Sequence, residues 1–439
     1  MHPLLRRVAL AVTLAVPLLS PAQEAPLRLS LHDAVTLART QNTVAALAAI
    51  RAEEIAARIG QRRADLLPSL SAFVTDGERT FNTASFGIPF PGFDPNGSII
   101  GPVRTVDLRA RLGMTLYDAA ARARYRGAKV VADSADAGHE AAMDAAALTA
   151  ATAYLRALRA GANVAARAAD SSSASQLVGI ARDVLAAGVG VALDVTRAEA
   201  QLAGVRTQLA AGRNEQRQAE LALRRALGVA LTAPIVLTDS LHISPDAAPA
   251  ESEAIATALR WRPELRAAAA GAEAARLARR AASAARLPTV GAFVDQGYTS
   301  ASYAHLLRTY SFGVQLSLPL FEGGRAESRI DEQQAVVRAA ELRLADVTDQ
   351  VSLEVRSALL DLNSATEQVA LARERLRLAE AEVTQAQERF SAGVAGNADV
   401  ITALLALTTS RAQLIDAETS LRYSQVSLAR AEGRISEIH

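Results

Sequence analysis

The chain repeats itself, and the repeat limits what it can fold into. Leu67-Pro68-Ser69-Leu70-Ser71-Ala72-Phe73-Val74 is echoed by Leu287-Pro288-Thr289-Val290-Gly291-Ala292-Phe293-Val294. Further on, Gly188-Val189-Gly190-Val191-Ala192-Leu193-Asp194-Val195 is echoed by Gly393-Val394-Ala395-Gly396-Asn397-Ala398-Asp399-Val400. The second spacing is shorter because the first copy carries a longer loop, between about Thr80 and Val103. A length of 439 residues, which alone suggests about three domains, therefore reads as two copies of one unit. Each copy runs helix, strand, loop, strand, very long helix, tight Gly turn, helix. The first copy is expected at 23–229 and the second at 251–434. A linker at 230–250, marked by Pro234, Pro245 and Pro249, joins them.

No Pro interrupts the chain from about Asp118 to Leu185 or from Arg325 to Phe390. Long helices are expected at about 118–187 and 323–391, with return helices at 193–228 and 398–432. At ~1.5 Å per residue each long helix is about 100 Å long. A heptad runs through the second copy. Val355, Leu362, Val369, Leu376, Val383 and Phe390 take one seam position; Ala358, Ala365, Ala372, Ala379 and Ala386 take the other. Past the turn, Val400, Leu407, Leu414, Leu421 and Leu428 alternate with Ala403, Ser410, Ala417, Ser424 and Ala431. A seam of large and small residues packs two helices closely as an antiparallel coiled coil. Ala153, Ala160, Ala174, Ala181, Val195, Leu202 and Leu209 hold the same register in the first copy. One shorter return helix cannot cover a rod of this length. Leu359, Leu371 and Leu378 therefore need further helices, from the other copy or from other chains.

Strands are expected at about 66–80, 103–117, 288–300 and 308–320. Val106, Leu108, Ala110, Leu112, Met114 and Leu116 alternate with Asp107, Arg109, Arg111, Gly113 and Thr115. Tyr310, Phe312, Val314, Leu316, Leu318 and Leu320 alternate with Ser311, Gly313, Gln315, Ser317 and Pro319. Alternation over about 11 residues matches a tilted transmembrane strand with one lipid face and one wet face. A soluble sheet with one buried face alternates too. The aromatic residues weigh for the membrane: most lie between Phe73 and Tyr117 or between Phe293 and Phe321, as interfacial girdles do. Four strands cannot close a barrel, whose bacterial minimum is about eight, so several chains must contribute. Two chains give eight strands and three give twelve.

Basic and acidic side chains number 47 and 46, a net charge of +1, which gives no general pull toward nucleic acid. The absence of Cys excludes disulfides, thiolate metal sites and a Cys nucleophile. The six His are scattered, and no nucleophile, base or metal set is clustered, so neither catalysis, a cofactor nor a resident metal is expected. The first residues form a secretory signal: a basic start through Arg6-Arg7, an apolar run from Val8 to Leu19 and small residues at Ser20-Pro21-Ala22. Cleavage is expected near Ala22, giving a 1–22 signal peptide and a chain that leaves the cytoplasm.

The duplicated layout resembles the TolC-like outer-membrane efflux protein family over essentially the whole mature chain. Leu31-His32-Asp33-Ala34-Val35 through Asn42 is similar to the family's opening helix, and Leu66-Leu67-Pro68-Ser69-Leu70 to the start of its first strand. Leu318-Pro319-Leu320-Phe321-Glu322-Gly323-Gly324-Arg325 resembles its strand-to-helix corner. Arg389-Phe390, Gly393-Val394 and Asp399-Val400 resemble its helix-turn-helix tip. The resemblance implies a mainly α homotrimer in which paired transmembrane β-hairpins form a 12-stranded β-barrel, continued by an α-helical periplasmic tunnel. It implies an exit duct for tripartite drug or metal efflux, or for type I protein secretion, in the outer membrane of a Gram-negative bacterium. The partners it implies are outer-membrane lipid, a periplasmic adaptor (membrane fusion) protein and an inner-membrane transporter of the RND or ABC type. The competing reading is a periplasmic coiled-coil structural or adaptor protein without a pore.

With no bond made or broken, the expected sites are a gate, a docking surface and a pore lining. Around a shared axis Asp194 and Asp399 recur at the tip, where gathered carboxylates favour cations. The same residues also suit capping of the returning helices. The family's gate often adds an acid three residues after the later Asp, here Thr402, and an arginine four residues before it, here Ala395. Gly188, Val189, Gly393 and Val394 match the family's adaptor-contact region, and they equally suit simple turn geometry. Asp107, Arg109, Arg111, Asp295 and Gln315 fall on the wet strand face, where they line a pore or merely solvate it. Phe81, Phe86, Phe90 and Phe93 mark the longer extracellular loop.

Overall fold

Two rods dominate the chain, and the other elements are arranged along them. The computed structural model describes residues 26–86, 94, 97–242 and 248–438. The expected signal peptide at 1–22, together with Phe90, Phe93 and Pro245, lies outside the described residues. In chain order the first half holds β1 (Leu27–Leu29), α1 (Leu31–Gln41), α2 (Thr43–Ala64), β2 (Ser69–Asn82), β3 (Ile99–Tyr117), α3 (Ala119–Ala186) and α4 (Ala192–Leu227). The second half holds β4 (Ile235–Leu237), α5 (Glu251–Trp261), α6 (Pro263–Ala284), β5 (Thr289–Ser300), β6 (Leu307–Ser317), α7 (Arg325–Ser391) and α8 (Asn397–Ala431).

The rods α3 and α7 have 68 and 67 residues. Each is stopped by a glycine past its C-cap: Gly188 at φ 75° and Gly393 at φ 73°. A left-handed residue there lets the next amides reach back. Val189 N–H donates to Val184 O at 3.3 Å, and Val394 N–H to Arg389 O at 3.0 Å. The chain then returns as α4 or α8, antiparallel along its rod. The heptad seam is buried: Val355, Leu362, Val369, Val383 and Phe390 face Val400, Leu407, Leu421 and Leu428 across small Ala and Ser positions.

Three apolar clusters lie along the rods. At the tip, residues of all four long helices meet, among them Leu177, Ala198, Val383 and Val400. Midway, Val351, Val355 and Leu421 pack with Ala254 and Ala258 of α5. Beside them Tyr154 is fully buried among α1, α3, α4 and β1, its hydroxyl donating to Leu29 O at 3.0 Å. The expected linker is partly ordered as strand, because β4 pairs in parallel with β1. Each copy opens with two helices where one was expected. Asn42 breaks the first pair, its side chain accepting from Val44 N–H and donating to Ala226 O, both at 2.8 Å. Pro263, which has no N–H to continue a helix, starts the second segment of the other pair.

In the strand-proximal half α2 packs on α3, α3 on α6 and α6 on α7. The sheet follows the same order, β2-β3-β5-β6, all antiparallel. It is open, with β2 and β6 at its edges, as four strands require. Towards the tip, α4 packs on α3, α3 on α8 and α8 on α7. Leu359, expected to need a neighbour, finds it inside the chain and is buried in the middle cluster. Leu371 and Leu378 remain exposed, with Leu342, Leu353 and Leu360. These five fall on one face of α7, since their spacings of eleven and seven residues are close to whole helical turns.

Candidate functional site: a two-faced sheet and a hairpin tip

Register decides the sheet's chemistry. Arg111 pairs with Asp295 and with Ser71, Asp295 with Ser311, and Gln315 with Gly291. Side chains of paired residues share a face. One face therefore collects Asp107, Arg109, Arg111, Asp295 and Gln315, with Ser69, Ser71, Thr75 and Ser311. Arg111 grips Asp295 through Nε–Oδ1 at 2.5 Å and Nη2–Oδ2 at 2.8 Å, while Ser311 Oγ donates to Oδ2 at 3.1 Å. Arg109 donates to Asp107 at 3.0 Å. Gly313 sits under the Phe293 ring, where a Cβ would approach to 3.2 Å. The polar face thus carries a charge network spanning three strands.

The opposite face is apolar and bare. Leu70, Val74, Leu112, Met114, Val294, Tyr310, Phe312, Val314 and Leu316 all project from it, Phe312 being 74% exposed. A surface of this kind does not persist in water without a cover. The aromatic residues of the sheet sit on β2, as Phe73 and Phe81, on β5 and β6, and at the corners, including Tyr117 and Phe321. Towards the strand tips the outer face turns polar, with Arg104 bidentate on Asp76 at 2.9 and 2.7 Å and Tyr303 donating to the same carboxylate at 3.1 Å. No helix among the described residues is long and apolar enough to cross a membrane.

At the far end of the rods the two Gly turns lie side by side. Val189, Val191, Leu193 and Val394 are exposed there, an apolar surface around Gly188 and Gly393. Asp194 and Asp399 each occupy the third position of their return helix. The cap positions belong to Val191 and Gly396, neither of which makes a side-chain cap hydrogen bond. The expected capping role is therefore not the one found; the carboxylates lie in the first turn, where the helix dipole favours negative charge. Asp399 is exposed; Asp194 is half-buried, with Arg197 at 4.0 Å. Thr402 is exposed and turned back on its own helix, its hydroxyl donating to Ala398 O at 2.9 Å.

The residue that joins the tips is Asn397. It is fully buried and donates through Nδ2 to Asp194 O at 2.8 Å, tying α8 of one hairpin to α4 of the other. Its Oδ1 has no partner among the described residues. The sequence offered one signal for it: an amide at the first position of α8, where the first copy has Ala192.

Comparison with known proteins follows the same geometry. The family model described as outer membrane efflux protein matches residues 35–229 and 254–434. Outer membrane efflux protein BepC of Brucella suis biovar 1 (strain 1330) is 27% identical over 270 residues, 60% of this chain and 57% of that protein. The chain thus spans less than two thirds of BepC. Protein CyaE of Bordetella pertussis is 26% identical over 416 residues, 93% of this chain and 84% of that protein. Among solved structures, the CmeC outer membrane channel of Campylobacter jejuni superposes with a TM-score of 0.76 at 19% identity, covering 92% of this chain and 86% of that one.

Proposed function

Because the chain belongs to the outer membrane efflux protein family, we propose that it is an outer-membrane channel-tunnel, the passive exit duct of a tripartite efflux or type I secretion system. The observation that carries this reading is the open four-stranded sheet, apolar on one side and charged on the other, mounted on rods of 68 and 67 residues. Such a sheet is complete only in company. Three copies, each joining its β6 edge to the β2 edge of the next, give twelve strands and leave no edge open. The helices close in the same sense: α7 of one copy lies against α2 of the next near the sheet and against α4 towards the tip. The leucine stripe of α7 is then the seam between copies.

In this assembly Asp107, Arg109, Arg111, Asp295 and Gln315 line the pore, and the outer face meets lipid. The rods continue the pore across the periplasm to a tip where Asp194, Asp399 and Thr402 form the gate. Six carboxylates per trimer around one axis concentrate cations. Asn397 holds the two hairpins of each copy together at that gate. The exposed valines and glycines of the turns, Gly188, Val189, Gly393 and Val394, dock a periplasmic adaptor. An inner-membrane transporter of the RND or ABC type supplies the energy, and the duct itself makes or breaks no bond. Cargo choice then rests with the pump.

The test is fractionation followed by reconstitution. The mature protein is expected in the outer membrane as a heat-modifiable trimer that conducts ions across a planar bilayer. A soluble monomer without conductance would instead leave a periplasmic coiled-coil protein.

A further inference from the structure

The excess of positive over negative charge in this chain is concentrated in one place. Four segments join helices to the sheet on its periplasmic side: residues 58–65, 118–129, 276–287 and 322–329. Together they hold thirteen basic and four acidic side chains, in a protein whose overall net charge is only +1. The other end of the sheet shows no such bias: residues 76–106 and 299–309 hold three of each. Each basic cluster directly adjoins exposed apolar residues where the chain enters or leaves the sheet. Leu67, Tyr117, Leu287 and Phe321 mark the four corners, and Phe321 is 90% exposed.

Some of these cations are spoken for, such as Arg286 on Glu327 at 2.8 Å and Arg62 near Asp65 at 3.7 Å. Arg63, Arg126, Arg279, Arg280, Arg325 and Arg329 are exposed and make no ion pair among the described residues. Between α2, α3 and α6 an apolar groove floored by Gly127, Ala128 and Val131 is rimmed by Arg58, Arg62 and Arg124. An apolar floor under a cationic rim suits an amphiphile better than a free anion.

We propose that this arginine collar binds anionic glycerophospholipid of the periplasmic leaflet, its guanidinium groups holding headgroup phosphates just below the apolar band of the sheet. The proposal rests on the barrel reading, which sets the membrane boundary at these four corners. Headgroup layers add several ångströms beyond the hydrocarbon core. The two turns nearest the sheet, the last of α2 and α6 and the first of α3 and α7, lie within that layer or within a Debye length of it. Arginine suits phosphate because its planar fork makes paired hydrogen bonds. All but one of the thirteen cations are Arg, Lys129 being the exception.

The experiment reconstitutes the purified trimer in nanodiscs of equal phosphatidylcholine and phosphatidylglycerol, transfers it to detergent and counts co-purifying lipids by native mass spectrometry. Wild type is expected to retain phosphatidylglycerol at least about fivefold over phosphatidylcholine, falling with salt, since each cation near a bilayer is worth roughly that factor. The variant Arg63→Gln/Arg126→Gln/Arg280→Gln/Arg325→Gln should still form a conducting trimer yet retain the two lipids nearly equally. Inorganic phosphate at millimolar concentration should not displace the retained lipid. Equal retention by wild type overturns the proposal, as does an unchanged preference in the variant or displacement by phosphate. A variant that keeps its lipid but loses anion conductance would put the arginines in the lumen and overturn it too. A wild-type trimer that conducts but shows no lipid preference sinks this inference alone; no trimer at all sinks the barrel reading and this one with it.

Discussion

Leu371 and Leu359 stand on the same rod, and their substitution by Ala should fail in opposite ways. Leu371 is 72% exposed in the single chain, whereas Leu359 is 8% exposed. Full burial of a leucine is worth ~1.5–3 kcal/mol, so the part of Leu371 still open to water represents about 1–2 kcal/mol per copy. Three copies make that about 3–6 kcal/mol per trimer, or roughly a hundred- to ten-thousandfold in the assembly equilibrium. Leu371→Ala therefore lowers the stability of the trimer while leaving the helical content and packing of the subunit intact. Leu359→Ala instead opens a cavity inside the subunit, at about 2–5 kcal/mol, and should show as loss of folded protein at any concentration. The assay is native mass spectrometry across a dilution series, with circular dichroism melting of the same samples. Trimers of Leu371→Ala that resist dilution like wild type would refute the placement of the α7 stripe between copies.

The remaining predictions concern the sheet, the gate and the C-terminal turn. Val314→Arg, on the bare face of β6, should cost about 2–4 kcal/mol at the bilayer midplane and abolish outer-membrane insertion, whereas Gln315→Arg, one residue on and facing the other way, should insert and shift ion selectivity towards anions; equal insertion of both would reverse the assigned faces. Asp399→Asn should lower cation preference in planar-bilayer conductance, and unchanged selectivity removes Asp399 from the gate. Burial pushes the Glu432 carboxyl up, Glu253 adds to the rise and Arg434 opposes it. The folded state thus holds that proton more tightly than the unfolded chain, so the stability it gives is complete below the ordinary carboxylate range and is lost as pH rises through the raised value. Glu432→Gln should therefore raise the melting temperature at pH 7 and leave it unchanged below about pH 4; an unchanged melt at pH 7 contradicts the sign.

Much of the fold was legible because long-range order here follows short-range period. The heptad through Val355, Leu362 and Val369 specifies a helix, its partner and the face between them, and all three are buried. The alternation around Leu112 and Phe312 specifies which residues share a side, and the strand register puts Arg111 opposite Asp295. What the sequence withheld has no period. The pair β1 and β4 has three residues on each strand and joins positions about 200 residues apart, so no pattern within either strand announces the other. The polar interior positions were equally silent. Arg262, at the junction of α5 and α6, is 3% exposed, with Glu264 at 3.0 Å and Glu354 at 2.7 Å, and its residue type alone does not distinguish it from the exposed Arg260 and Arg266 on either side. At the tip the carboxylates were visible as repeated letters, but the amide that links the hairpins differs between the copies, and only packing shows it to be buried.

The open edges of β2 and β6 bear on inheritance as much as on architecture. On the proposed reading, a pore finished only by three polypeptides is answerable to every gene copy that supplies them. In a cell making sound and defective subunits in equal amounts, random mixing leaves about one wholly sound trimer in eight. A mutation that spoils the sheet yet spares the leucine seam should therefore be dominant, disabling most assemblies it enters, while one that breaks the seam is excluded from them and should be recessive.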